Sequence, residues 1–181
     1  MKKERFDVAI IGGGMVGLSL ALNLARTGVR VVVVERGSLE YMAAATFDGR
    51  GSAISNGSRR ILRGTGLWDK LQPNAEPILE IRVADGGSPL FLHYDHRDVG
   101  EGPLGWIVEN AYIRRMLAGA VAATGLPVLE GAALSAVWFE PGHVTLNIDD
   151  GRSVEAQLVI AADGRHSDLR EMAKIDVVGW S

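Results

Sequence analysis

The run Ile10-Ile11-Gly12-Gly13-Gly14-Met15-Val16-Gly17, with Glu35 downstream, restricts what the N-terminal part of this chain can fold into. A G-x-G-x-x-G string alone marks only a turn, so its flanks decide the matter. Before it, residues 7–11 form a short apolar run suited to a strand buried on both faces. After it, residues 15–27 contain no proline and are rich in Ala and Leu, which predicts a helix, and Gly28 stands at its C-cap. Residues 29–35, with four consecutive valines, read as a second buried strand ending on an acid. The whole is a βαβ unit. Gly12 permits the tight turn, Gly14 lets the backbone approach a pyrophosphate, and Gly17 lets helix and strand pack closely. The helix N-terminus at Met15 and Val16 offers unpaired N–H groups to phosphates. Glu35, 18 residues after Gly17, can accept hydrogen bonds from ribose hydroxyls and would repel a 2′-phosphate. The unit predicts an adenine dinucleotide and leaves NAD and FAD equally open.

A chain of 181 residues suffices for one domain with a substantial core, or one domain with a small annex. The net charge of −3, with no basic cluster longer than Arg59-Arg60 or Arg114-Arg115, argues against nucleic acid as a partner. The absence of cysteine excludes disulfides, cysteine zinc sites and thiol–disulfide chemistry. Lys2, Lys3 and Arg5 before an uncharged stretch imitate a targeting segment, but the glycine spacing and Asn23 fit the βαβ unit better. The expectation is a cytoplasmic protein whose membrane contact, if any, is peripheral, at the inner membrane face. His93 and His96, with Asp95 between them, fall on opposite faces of a strand and lack a third ligand, so no metal is expected.

Beyond Glu35, residues 36–56 have little periodicity and read as a long functional loop. Residues 58–71 read as helical, interrupted by Gly64 and Gly66, with Trp68 and Leu71 inward. Residues 78–84 and 89–94 flank Asp85-Gly86-Gly87-Ser88 as a hairpin, and 104–108 supply another strand. This middle portion reads as antiparallel, with 76–108 as an insertion. Residues 110–124 return to a helix carrying Ile113, Leu117, Ala120 and Val121 at helical spacing, and 127–129 return to the edge of the parallel sheet. Strands are expected at 137–139, 144–148, 154–156 and 158–162, with a tight turn at Asp150-Gly151. The last strand runs into Asp163-Gly164-Arg165-His166-Ser167-Asp168-Leu169-Arg170.

At this segment Asp163-Gly164, Ser167 and Arg170 match an Asp-Gly-x-x-Ser-x-x-Arg motif, and the chain resembles the flavin-dependent aromatic hydroxylases. The opening fingerprint through Glu35-Arg36, the stretch from Asp48-Gly49-Arg50 to Ser55, and Gly105 through Asn110 to Arg114-Arg115 agree in the same order. Together these are most similar to the ubiquinone-biosynthesis, polyprenyl-methoxyphenol hydroxylase branch. The resemblance implies a Rossmann-like FAD-binding α/β domain of the glutathione-reductase type, spanning 1–181 and incomplete, with 76–108 belonging to a substrate-side antiparallel sheet. It implies FAD on Gly12, Gly14, Met15, Val16 and Gly17, with Glu35 and Arg36 at the adenosine ribose. Arg50, Asn110 and Arg114 would lie toward the flavin, Asp163 would approach the FAD, and Arg170 would serve the fold or the nicotinamide nucleotide. NAD(P)H would be the reductant and O2 the oxidant, with a small aromatic and lipid-tailed substrate and an oligomer or biosynthetic complex as context.

Members of that family are about twice as long, in the range of two domains. The sequence therefore reads as a truncated and inactive piece, and no catalytic residue is identified in it. Another FAD-binding oxidoreductase of the same fold and a non-catalytic nucleotide-binding module remain as alternatives.

Overall fold

The structure, a computed structural model, describes residues 4–44, 46–87 and 89–179; Lys2, Lys3, Ser88, Trp180 and Ser181 lie outside it. The chain divides into two compact units, one formed by 1–45 with 117–181 and the other by 46–116.

In the first unit the βαβ start is present as β1 (Glu4–Ile11), α1 (Met15–Arg26) and β2 (Val31–Val34). All four β2 valines are buried, which explains the unbroken apolar run. Helix α1 ends at a turn in which Gly28, at φ +85°, donates its N–H to the Ala25 carbonyl. The later strands of this unit are β8 (Val128–Leu129), β9 (Leu134–Glu140), β10 (His143–Ile148) and β11 (Ser153–Ala161). They complete a six-stranded sheet in the order β8-β2-β1-β11-β10-β9. The first four strands are parallel, while β11, β10 and β9 form an antiparallel meander. Strand β11 is thus where the sheet changes direction. The two strands expected at 154–156 and 158–162 are one continuous strand, which β1 pairs in a single register on both sides of Gln157, from Val154 to Ala156 and from Leu158 to Ala161. Gln157 interrupts the apolar pattern but not the strand. Ala9, Ile11, Val32, Val34, Leu146 and Val154 are among the residues that form the core of this unit.

The second unit corrects the long loop expected over 36–56. Strand β3 (Gly51–Ser55) pairs there with β7 (Gly105–Glu109), which also pairs with β4 (Ala75–Ile78), all antiparallel. The other end of that stretch holds a helix, α2 (Leu39–Ala44), in the first unit. It has no buried residue, so no apolar stripe announced it. The helical region divides into α3 (Asn56–Gly64) and α4 (Leu67–Leu71) at Gly66, whose φ is +72°. Trp68 and Leu71 are buried as expected, and the Trp68 ring meets Trp106 edge-on at 5.1 Å. The single strand expected over 78–84 is two elements, since β4 ends at Ile78 and β5 (Glu80–Ala84) pairs with β6 (Phe91–Asp95) in a separate hairpin. Helix α5 (Asn110–Thr124) runs from one unit into the other, and α6 (Asp168–Met172) is the last helix among the described residues. No helix among the described residues is long and apolar enough to cross a membrane.

Candidate cofactor site

Because β1, β2 and β11 are parallel neighbours, the residues following each emerge at the same edge of the sheet. Those residues are Gly12, Glu35 and Ala162-Asp163. Backbone hydrogen bonds hold them in register: Gly12 N–H donates to Val34 O at 2.8 Å, and Ala162 N–H donates to Ile11 O at 2.7 Å. The glycines show why this turn tolerates little else. A Cβ on Gly12, at φ +105°, would lie 2.4 Å from the Ala162 carbonyl oxygen. One on Gly17 would lie 1.9 Å from the Gly12 oxygen, so α1 is pressed onto the turn. A Cβ on Gly14 would meet nothing within 4 Å, which leaves open space before the helix N-terminus. No side chain caps α1 there. The first-turn N–H groups at Met15, Val16 and Gly17 have no partner within the helix.

A cleft of about 280 Å³ lies at this edge, lined by Gly12, Gly14, Glu35, Arg36, Asp163 and Asp168 among others. Such a volume is near the lower end of the range of roughly 300–1,000 Å³ for small-molecule sites, so it has room for part of a dinucleotide. Glu35 has a task that sequence did not reveal. Its Oε2 accepts the N–H of Gly13, and its Oε1 accepts the N–H of Gly37 at 2.7 Å. The carboxylate therefore braces the glycine turn while each oxygen keeps a further lone pair. Gly13 is a residue missed by the motif: its Cβ would come within 2.9 Å of Glu35 Cβ and Cγ. Arg36 is held by Asp168 at 3.3 Å.

Asp163 Oδ2 accepts the Leu169 N–H at 3.2 Å, while Oδ1 is buried without a hydrogen-bond partner among the described residues. A buried carboxylate oxygen left unpaired is costly, and here it belongs to a residue lining the cleft. This orphan acceptor, the open space at Gly14 and the free amides of α1 fit a ligand with hydroxyl donors and phosphate acceptors. Arg170 is placed differently. It lines a neighbouring apolar groove of about 440 Å³ with Phe139, Val159 and Ile175. Its Nη1 donates to the Arg165 carbonyl at 3.1 Å, which ties together the turn before α6.

The remaining candidates form a cluster within the second unit. Asp48 Oδ2 receives Arg50 Nη2 at 2.7 Å and Arg114 Nη2 at 3.2 Å. The Arg50 hydrogen bond, first of all, lowers the Asp48 pKa from 3.8 to about 2. Beside it, Ser52 Oγ donates to Asn110 Oδ1 at 2.6 Å, and Asn110 N–H donates to the Arg50 carbonyl at 3.0 Å. Asp48, which opens one of the motif stretches but had no site role assigned to it, and Ser52 thus position Arg50, Arg114 and Asn110. Among the described residues there is no group of acids and histidines able to hold a metal ion.

Comparison with known proteins places these geometries in a family. A model described as FAD binding domain matches residues 5–181. The ubiquinone hydroxylase UbiL of Rhodospirillum rubrum is 45% identical over 174 residues, covering 94% of this chain and 40% of that protein. The 3-demethoxyubiquinol 3-hydroxylase of Escherichia coli is 33% identical, covering 99% of this chain and 46% of that protein. The solved structure of OxyS anhydrotetracycline hydroxylase from Streptomyces rimosus superposes with a TM-score of 0.79 at 25% identity, over 98% of this chain and 35% of that one. The chain spans less than half the length of these curated relatives. With its parallel βαβ sheet, its glycine turn and this match over nearly all of its length, the chain belongs to the FAD binding domain family.

Proposed function

We propose that this chain is the FAD-binding part of a flavin-dependent hydroxylase acting on an aromatic, lipid-tailed phenol. Gly12, Gly14 and Gly17, with the amides at Met15 and Val16, hold the pyrophosphate. Glu35 accepts from the adenosine ribose through the lone pairs that Gly13 and Gly37 leave free, and Arg36 borders the same end. Asp163 offers Oδ1 to a cofactor hydroxyl. In the second unit Arg50, Arg114 and Asn110 face the flavin portion, and Asp48 and Ser52 fix their orientation. Residues 76–108 belong to the substrate-side sheet, and the substrate approaches from a membrane face with which the protein is in peripheral contact.

The observation that carries this reading is the convergence on one cleft of an uncapped helix N-terminus, an open glycine position and an orphaned acid from a strand over a hundred residues away. What a bound flavin supplies is two-electron chemistry between NAD(P)H and O2, with transfer of one oxygen atom to the ring. The residues named here bind and orient it. The near relationship to ubiquinone hydroxylases supports the substrate class.

The test is a titration of the purified chain with FAD, followed by quenching of flavin fluorescence. Saturable binding that ADP-ribose competes away is expected. Binding of NAD with none of FAD would sink the assignment. For the hydroxylase step, NAD(P)H oxidation by an FAD-loaded full-length version should rise on adding a phenol; indifference to every phenol would remove that part and leave the cofactor site standing.

A further inference from the structure

The hairpin of β5 and β6 forms a sheet of two strands within the second unit. Its register sets Ile81 opposite Tyr94 and Val83 opposite Leu92, so these four side chains share one face, and Leu79 just before β5 continues the alternation. Among the described residues nothing covers that face: the five are between 41% and 61% exposed. The other face holds Glu80, Arg82, Phe91 and His93, which are settled among themselves. His93 Nε2 lies 3.3 Å from Glu80 Oε2, and the Arg82 guanidinium stands 5.5 Å from the centre of the Phe91 ring. The hairpin is thus amphipathic, with its apolar side uncovered. A lone hairpin is marginal in water until a third strand or a packed surface meets its apolar face.

We infer that this face is the interface of a two-fold dimer, with a second copy of the chain as its occupant. Five side chains about half uncovered supply roughly 500 Å² from each copy, or about 1,000 Å² for the pair, at ~100 Å² each. That area reaches the floor for a specific interface. The face carries no charged residue, so it does not repel its own image, and a net charge of −3 adds little repulsion at a distance. The basic groups of the hairpin, Arg82 and His93, lie on the reverse side, so an anionic headgroup or a phosphate has nothing to pair with on the apolar one. Two such hairpins packed face to face make a four-stranded sandwich with its sheets about 10 Å apart. A two-fold axis through the face sets the Val83–Leu92 pair of one copy on the Ile81–Tyr94 pair of the other, and the reverse. An interface of this size associates weakly and reversibly.

The experiment is sedimentation equilibrium of the purified chain without FAD. A monomer–dimer equilibrium is expected, with monomer at about 1 μM and mostly dimer at ~100 μM, the range of a small apolar interface. Leu92→Glu should weaken it at least roughly 100-fold, because association would bury an unpaired carboxylate in each copy. Ile61→Glu, the same change at an exposed aliphatic residue of α3 in the same unit, should leave it unchanged. The chain contains no cysteine, so Val83→Cys reports only on its own surroundings. A bismaleimide spanning about 10 Å, the spacing of packed sheets, should join two copies of Val83→Cys and spare Ile61→Cys. Monomer alone at ~100 μM, open-ended aggregates in place of a closed dimer, indifference to Leu92→Glu, equal loss in Ile61→Glu or equal cross-linking of Ile61→Cys would each overturn the proposal. So would a full-length version that stays monomeric, since the rest of that protein would then cover the face. Circular dichroism of each variant verifies folding.

Discussion

At the scale of single residues, the glycine turn separates packing from ligand contact. Gly17→Ala would drive a methyl carbon to 1.9 Å from the Gly12 carbonyl oxygen, a clash that can only be relieved by shifting α1 from the sheet. It should cost about 2–3 kcal/mol in urea unfolding, the scale of overpacking in a rigid core. Gly14→Ala meets nothing and keeps an ordinary backbone, at φ −69° and ψ −176°. It should change stability by less than about 1 kcal/mol, the scale of a helix N-cap change, and weaken FAD at least roughly tenfold. If both variants lost stability alike, the space before Gly14 would have no special meaning for a ligand. Glu35→Gln turns one oxygen into a donor that faces a backbone N–H of Gly13 or Gly37. FAD should weaken by about 1–2 kcal/mol, the scale of a charged hydrogen bond, with some loss of stability as well. Such a double effect could not be anticipated from the motif, which shows Glu35 only as a ribose partner. The contacts of Gly13 and Gly37 with it depend on how the chain folds back after β2.

At the scale of elements, Asp48 links the start of β3 to the start of α5 through Arg50 and Arg114. Its pKa falls from 3.8 in the ordinary carboxyl to about 2 in the folded protein, chiefly through the Arg50 hydrogen bond. A lowered folded pKa means a contribution to stability present above about pH 4 and lost as the pH falls through 2. Asp48→Asn should therefore be less stable than the parent at neutral pH, with the difference closing below about pH 2. Urea unfolding followed by tryptophan fluorescence at both pH values measures this; a gap independent of pH would mean that the clamp carries no folded-state charge. The elements that sequence revealed are those with a one-sided or wholly buried apolar pattern. Strands β1 and β2 were plain because they are buried, and α5 because Ile113, Leu117 and Val121 share a stripe. Strand β3 and helix α2 were hidden for the opposite reason. Strand β3 has no buried residue and takes its identity from β7, more than fifty residues away. Strand β11 was split at Gln157 because a polar residue in a ladder looks like a gap when the partner strand is unknown.

At the scale of the whole molecule, the candidate residues fall into two clusters, one in each compact unit. One surrounds the glycine turn, Glu35 and Asp163; the other is built on Asp48, Arg50, Ser52, Asn110 and Arg114. In the proposed assignment the first cluster takes the phosphates and ribose and the second takes the flavin portion. Phosphates and ribose call for amides and a carboxylate, while a flavin portion calls for guanidinium and amide donors. Fragments of the cofactor should then distinguish the clusters. ADP-ribose should slow hydrogen exchange at residues 12–17, 35–37 and 163–164 and leave 48–52 and 110–114 unchanged. FAD should protect both sets, because it carries the flavin as well. Protection by FAD confined to the first set would withdraw Arg50, Asn110 and Arg114 from the cofactor site and leave them as a clamp between β3 and α5. Protection by ADP-ribose at 48–52 would show that the adenosine end reaches the second cluster, and the order of the assignments along FAD would have to be reversed.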